Sequence, residues 1–194
     1  RGYMVTGIDF SESQLNRARI KSVEQNLNID FRKLDARELP FSEDFDLAIM
    51  LCEGAFPLME TDEMNFQILK GAAKALTPGG KLIFTTLNGL FPLFHSVKDF
   101  LGSVKQEGNA TYTGNSFNLM TFRDHNTTII EDDSGNKKEL QCSERYYVPS
   151  EITWMLKSLN FKTVDIFGAT LGAFSRKDKL TTEDYEMLVV AVKL

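Results

Sequence analysis

Three carboxylates stand where apolar runs stop. Asp9 closes Met4-Val5-Thr6-Gly7-Ile8, Asp35 follows the segment marked by Ile29, Phe31 and Leu34, and Glu53 follows Phe45 to Leu51 by way of Cys52. An apolar run closing on an acid suits a buried parallel strand, and open α/β sheets hold their ligands at the carboxyl ends of such strands. A carboxylate placed there can accept both hydroxyls of a ribose, the natural task for Asp9. Asp35 can accept from the exocyclic amine of an adenine while the Ala36 N–H donates to a ring nitrogen, so the two together would define an adenosine. Each acid also has a plainer use: Asp9 as a helix cap, Asp35 as a turn residue, Glu53 as a solvated loop acid.

Other reactive types are sparse. The only histidines are His95 and His125; His95 fits a substrate position or an amphipathic helix equally well, His125 sits in a polar stretch, and neither singles itself out as a general base. Cys52 and Cys142 have no partners at metal-ligand spacing, and Asp132-Asp133 looks like a turn, so no metal is expected. Tyr112, Arg145 and Tyr146 lie in an aromatic-rich stretch that makes either a packed sheet face, a substrate lid or a dimer contact. Arg145 can pair a substrate carboxylate or phosphate, or a neighbouring Glu, and Arg176 has the same two uses.

The elements that must position these groups alternate. Ser11 with Gln14 three residues on forms a capping box for a helix carrying Leu15, Ala18, Ile20, Val23 and Leu27 on its apolar side. The run Phe45–Leu51 is the best candidate for a central strand. Thr61 and Asp62 open a helix with Phe66, Leu69, Ala73 and Leu76 at helical spacing, which Thr77-Pro78-Gly79-Gly80 stops before a parallel strand over Lys81–Leu87. The rhythm then breaks: a helix-like stretch from Pro92 to Val104 precedes strand-like segments at Phe117–Arg123, Thr127–Asp132 and Glu139–Val148, an antiparallel insertion. Ser150 is placed as the N-cap of a helix bearing Ile152, Met155, Leu156 and Leu159, followed by strands at Phe161–Phe167 and Glu186–Lys193. Strand and helix alternating in this way predict an α/β fold, a doubly wound, mostly parallel sheet.

Val5-Thr6-Gly7-Ile8-Asp9-Phe10-Ser11, Leu34-Asp35-Ala36-Arg37, Phe45-Asp46-Leu47-Ala48-Ile49-Met50 and Leu76-Thr77-Pro78-Gly79-Gly80, closed by Asn160-Phe161, stand in the order and spacing of a known family. The chain resembles the small-molecule class I S-adenosylmethionine-dependent methyltransferases. The resemblance implies a Rossmann-like sheet of order 3-2-1-4-5-7-6 with its seventh strand, Glu186–Lys193, antiparallel. It further implies that Asp9 takes the ribose diol, Phe10 and Ser11 the adenine edge, and Asp35 and Ala36, with Arg37 beside them, the adenine amine and ring. Leu51, Cys52 and Glu53 would face the methionine side of S-adenosylmethionine, or of its product S-adenosylhomocysteine. The family's opening strand and glycine-rich loop have no counterpart, which predicts a chain entered at the second strand and cut from a longer polypeptide.

The organisation expected is a cofactor-binding core over 1–88, an insertion or lid over 89–148 that a homodimer could use, and the rest of the core over 149–194. With 42% apolar and 25% charged residues and a formal charge of −5, composition disfavours a phosphate-backbone binder and points to a small-molecule substrate. No run is long enough to cross a bilayer, so a cytoplasmic protein is expected. Two other readings fit parts of the pattern: a nicotinamide-dependent oxidoreductase, since an acid after the second strand suits that ribose too, and a non-catalytic binding or scaffold domain.

Overall fold

A computed structural model describes residues 2–52, 55–95, 110–131, 135–169 and 174–194, with the main chain alone over 110–115. The element order is β1 (Thr6–Asp9), α1 (Glu12–Glu24), β2 (Asp30–Lys33), β3 (Phe45–Met50), α2 (Asp62–Ala75), β4 (Leu76–Leu87), α3 (Leu90–Phe94), β5 (Ala110–Asn118), β6 (Arg123–Glu131), β7 (Lys137–Arg145), α4 (Pro149–Ser158), β8 (Phe161–Ala169) and β9 (Glu186–Lys193). β1 and β2 pair in parallel; β3 pairs in parallel with β4, and β9 lies antiparallel between β4 and β8. The sheets are therefore β2-β1 and β3-β4-β9-β8, which in the family's numbering read 3-2 and 4-5-7-6. Among the described residues no strand pairs with the second edge of β1 or of β3. The antiparallel β9 separates this order from the all-parallel sheet of the nicotinamide fold.

The core lies between the large sheet and the helices on its face. Leu69 of α2, Ile152 and Leu156 of α4, Phe84 of β4 and Val189 of β9 are buried in one cluster with Phe56 and Tyr147. Thr61 caps α2 by accepting the Met64 N–H at 3.2 Å, and Asp62 and Glu63 put negative charge at the positive end of the helix dipole. Ser11 caps α1 as expected, accepting the Gln14 N–H at 3.4 Å.

Several local expectations are corrected. The apolar side of α1 is largely uncovered: Leu15 is buried, but Ile20, Val23 and Leu27 are exposed. Phe117–Arg123 is not a strand but the end of β5, a turn and the start of β6; the Asn118 Oδ1 accepts the N–H groups of Met120 and Thr121, and Phe122 takes φ +53°. β4 begins at Leu76, so the Thr77–Gly80 stretch belongs to its first residues. The N-cap of α4 is Val148, not Ser150. Pro149 forces Val148 into extended backbone and presets the first helical residue, while Glu151 Oε2 accepts the Val148 N–H at 2.8 Å. Of the expected 92–104 helix, α3 ends at Phe94, and 96–109 lie outside the described residues, as does the Asp132–Ser134 part of the expected turn. The insertion is a separate antiparallel sheet, β5-β6-β7.

Candidate functional site

The facing edges of β1 and β3 wall a cleft of about 600 Å3, inside the ~300–1,000 Å3 range of small-molecule sites. Thr6 and Ile8 of β1, Leu47 and Ile49 of β3, and Ile68 and Ala72 of α2 make its sides apolar. At the carboxyl ends of the strands Asp9, Phe10, Asp35, Ala36, Arg37 and Leu51 line it too. Seven of the nine residues expected at the cofactor thus fall at one opening or beside it: six line the cleft, and Ser11 is joined to Asp9. Cys52 is exposed, a free thiol with φ +56°, and does not line the cleft. Glu53 lies outside the described residues.

Asp9 ends β1 and turns its carboxylate back on the chain. Its Oδ1 accepts the Ser11 N–H at 2.7 Å, the local bond that fixes an Asx turn before a helix. No other bond to this side chain occurs among the described residues. Ser11 itself is occupied as the cap of α1. Phe10 is 71% exposed, an aromatic face at the cleft mouth, with Lys33 Nζ 5.9 Å from its ring centre.

Asp35 is tied to Arg37 far more closely than the sequence suggests. Its Oδ1 accepts the Arg37 N–H and Nε–H, each at 2.9 Å, and its Oδ2 accepts Nε–H at 3.1 Å and Nη2–H at 2.5 Å. These donors hold the Asp35 carboxyl down to about 2 and raise the Arg37 guanidinium in return. Three N–H donors make these four contacts, Nε–H being shared between the two oxygens, so an adenine amine competes with the guanidinium for Asp35.

What leaves room for this loop beside α2 is a residue absent from the sequence expectations, Gly71. A Cβ on Gly71, inside α2, would sit 2.8 Å from the Ala36 carbonyl oxygen. Glycine in a helix interior costs about 1 kcal/mol relative to alanine, and here it lets α2 run under the Asp35–Arg37 loop. A lone glycine in an otherwise apolar-periodic helix was the available signal.

The substrate candidates gather elsewhere. Arg145 borders a second, more open hollow of about 870 Å3 between α2 and α4, with Phe66, Tyr147, Trp154 and Met155. Its guanidinium is engaged by Asp62 at 3.2 Å, by Glu151 at 2.7 Å and by the Tyr146 carbonyl, and it lies 4.4 Å from the centre of the Tyr147 ring; the neighbouring-Glu alternative is the one observed. Tyr146 is wholly buried and its hydroxyl meets that of Tyr185 at 2.7 Å. His95 stacks on Phe91, its Nε2 3.3 Å from Glu183 Oε2 without hydrogen-bond alignment. Arg176 is exposed in a turn before β9, His125 is exposed on β6, and Tyr112 lies in the part of β5 described by its main chain. Among the described residues no group of three or more His, Cys, Asp or Glu could hold a metal ion.

Comparison with known proteins bears on this arrangement. Residues 1–80 match the family described as Methyltransferase domain. The chain superposes on an S-adenosylmethionine-dependent methyltransferase from Clostridium acetobutylicum, at TM-score 0.74 and 16% identity over 98% of this chain and 75% of that one. The fold is that of the class I S-adenosylmethionine-dependent methyltransferases. The CcbJ methyltransferase from Streptomyces caelestis superposes at TM-score 0.75 and 16% identity, covering 100% of this chain and 80% of its own. Among curated sequences, a ubiquinone biosynthesis O-methyltransferase of Idiomarina loihiensis is 34% identical over 88 residues, 45% of this chain and 35% of that protein. The matched part thus spans about a third of that methyltransferase's length. The family resemblance read from the four motifs and the sheet order it implied both hold, and among the described residues no helix is long and apolar enough to cross a membrane.

Proposed function

We propose that this chain binds S-adenosylmethionine in the cleft between β1 and β3 and belongs to an enzyme that moves the methyl group to a nitrogen or oxygen of a small molecule in the cytoplasm. The carrying observation is the convergence of Asp9, Phe10, Asp35, Ala36 and Leu51 on one cleft at the carboxyl ends of three strands. These residues fit an adenosine. Asp9 has an oxygen not used by Ser11 that accepts from the ribose, Phe10 offers an open ring face, and Ala36 presents main chain beside a carboxylate. Leu51 stands at the end of β3, on the methionine side; Glu53 is assigned there by resemblance.

When bound, S-adenosylmethionine supplies an electrophilic methyl on a sulfonium. The chain's part is to position and to exclude water, since such a transfer is an in-line displacement that gains chiefly from orientation. Asp9 fixes the ribose end and so the register of the rest. A base is needed only where the acceptor must lose a proton.

The test is calorimetric titration of S-adenosylhomocysteine into the natural protein, with Asp9→Ala as control. One site should appear, weakened at least tenfold in the variant, or about 1.4 kcal/mol. A well-folded protein that takes up no S-adenosylhomocysteine would overturn the proposal.

A further inference from the structure

β6 carries a polar stripe on its buried face. Asp124, Asn126 and Thr128 alternate along the strand and all three are buried. Their hydrogen bonds run one way: the Thr128 hydroxyl donates to Asn126 Oδ1 at 2.9 Å, and the Asn126 amide donates to Asp124 Oδ2 at 3.4 Å. The ladder ends on Asp124 Oδ1, which is shut away from solvent and has no hydrogen-bond partner among the described residues. Directly across the strand pair stands Glu144, for which no hydrogen bond or ion pair occurs among the described residues. Like charges directly opposite on a sheet repel, and a buried carboxylate without a partner costs the full desolvation of its charge.

The two arginines nearest these acids in the strand pairing face the other way. Arg123 and Arg145, the next cross-strand pair, point to the opposite face and are both spent on Asp62 of α2. The insertion sheet thus keeps its arginines against the core acids and leaves Asp124 and Glu144 without an ion pair among the described residues, Asp124 being eased only by the Asn126 amide and the nearby His125. Burial pushes both carboxyls above their ordinary range, and the Asp124 charge adds to the effect on Glu144. Both also act on the Tyr146 hydroxyl, which places them within electrostatic reach of it. Phe117 lies across from Asp124, and Tyr146, Phe122 and Phe91 pack with Leu87, the last residue of β4. Ligands of such sheets lie beyond that end of the strand.

We infer that Asp124 and Glu144 form a cation subsite, walled by aromatic rings, for a protonated amino group of the small-molecule substrate. An ammonium brings both a charge and three donors, enough to satisfy the orphaned Oδ1 and Glu144 together, and aromatic faces add to its attraction. A neutral alcohol of the same shape brings one donor and leaves the pair unneutralised. The inference rests on the proposed enzyme reading only in calling the ligand a substrate; the subsite stands on its own geometry.

The probes are benzylamine, 2-phenylethylamine and putrescine, each set against the alcohol of the same skeleton, titrated into the natural protein by ligand-detected NMR and calorimetry. In at least one pair the amine should bind at least tenfold tighter than its alcohol, and either Asp124→Asn or Glu144→Gln should abolish that preference while S-adenosylhomocysteine binding is kept. Should Asp124→Asn fail to fold, the less buried Glu144→Gln decides. No amine preference in any pair, or a preference that survives the substitutions, overturns the assignment. Amine preference in a protein that takes up no S-adenosylhomocysteine instead overturns the methyl-donor reading and leaves the subsite standing.

Discussion

Asp35 and Arg37 show how a site residue can be legible while its state is not. The acid at the end of a strand is plain in the sequence; that Arg37, two residues on, encloses it with its main-chain N–H and its guanidinium is not, because the contact depends on the loop's backbone path. The sign of its pH dependence follows from the depressed value. A carboxyl held at about 2 against roughly 3.9 unfolded contributes stability that is fully present above about pH 4 and is lost as pH falls through 2. An NMR titration should find the Asp35 carboxyl near 2, and in Arg37→Ala raised toward, but not to, its ordinary value of about 3.9, because the N–H of residue 37 still donates to it; an unmoved carboxyl would show that another group holds it. Gly71 gives a second test at this scale. Gly71→Ala gains about 1 kcal/mol of helix propensity but drives a methyl to 2.8 Å from the Ala36 carbonyl, an overpacking that typically costs about 1–3 kcal/mol. Denaturation should show a net loss, and S-adenosylhomocysteine should bind more weakly because the displaced loop carries Asp35 and Ala36. Unchanged affinity would separate the glycine from the site.

At the scale of elements, what could be read from pattern was what depends on neighbours in sequence. The alternation of β1, α1, β2, β3, α2 and β4, and the paired closing strands β8 and β9, follow from runs and caps that are local. The failures are non-local. The covered side of α1 depends on what packs against it, and the turn after Asn118 interrupts apolar residues that read as one strand. The attachment of the insertion to the core was also invisible in sequence. One acid joins both of its strands to the core: Asp62, in the first turn of α2, takes Arg123 of β6 at 2.7 Å and Arg145 of β7 at 3.2 Å, both guanidinium side chains almost fully buried. Removing it strands two buried charges, although Arg123 keeps the Met59 carbonyl and Arg145 keeps Glu151. Asp62→Ala should therefore lower stability by about 2–3 kcal/mol, read as a shifted denaturation midpoint with unchanged slope. A loss below about 0.5 kcal/mol, the level of an ordinary surface substitution, would mean that the insertion is held by packing alone.

For the whole molecule, the two main sheets differ in what supports them. The large sheet is stitched by the long antiparallel ladders of β9 with β4 and β8 and backed by the buried cluster of α2 and α4. The β1–β2 pair has four residues in each strand and leans on an α1 whose outer apolar residues are exposed. Local opening follows such differences in buried contact, so amides of β1, β2 and α1 should exchange faster than those of β4 and β9. A ligand bridging Asp9 and Asp35 on one side and Leu51 on the other links the weaker unit to the stronger. At a hundred times its dissociation constant it adds about 2.7 kcal/mol to every opening that destroys the site, a roughly hundredfold slowing of exchange by that route. Hydrogen exchange with and without saturating S-adenosylhomocysteine should show that slowing concentrated in β1, β2 and α1. The β4–β9 ladder should change less wherever its amides already exchange by local routes that leave the cleft intact. Slowing confined to β4 and β9, with β1 and β2 untouched, would place the ligand outside the cleft and with it the role of both strand-end carboxylates.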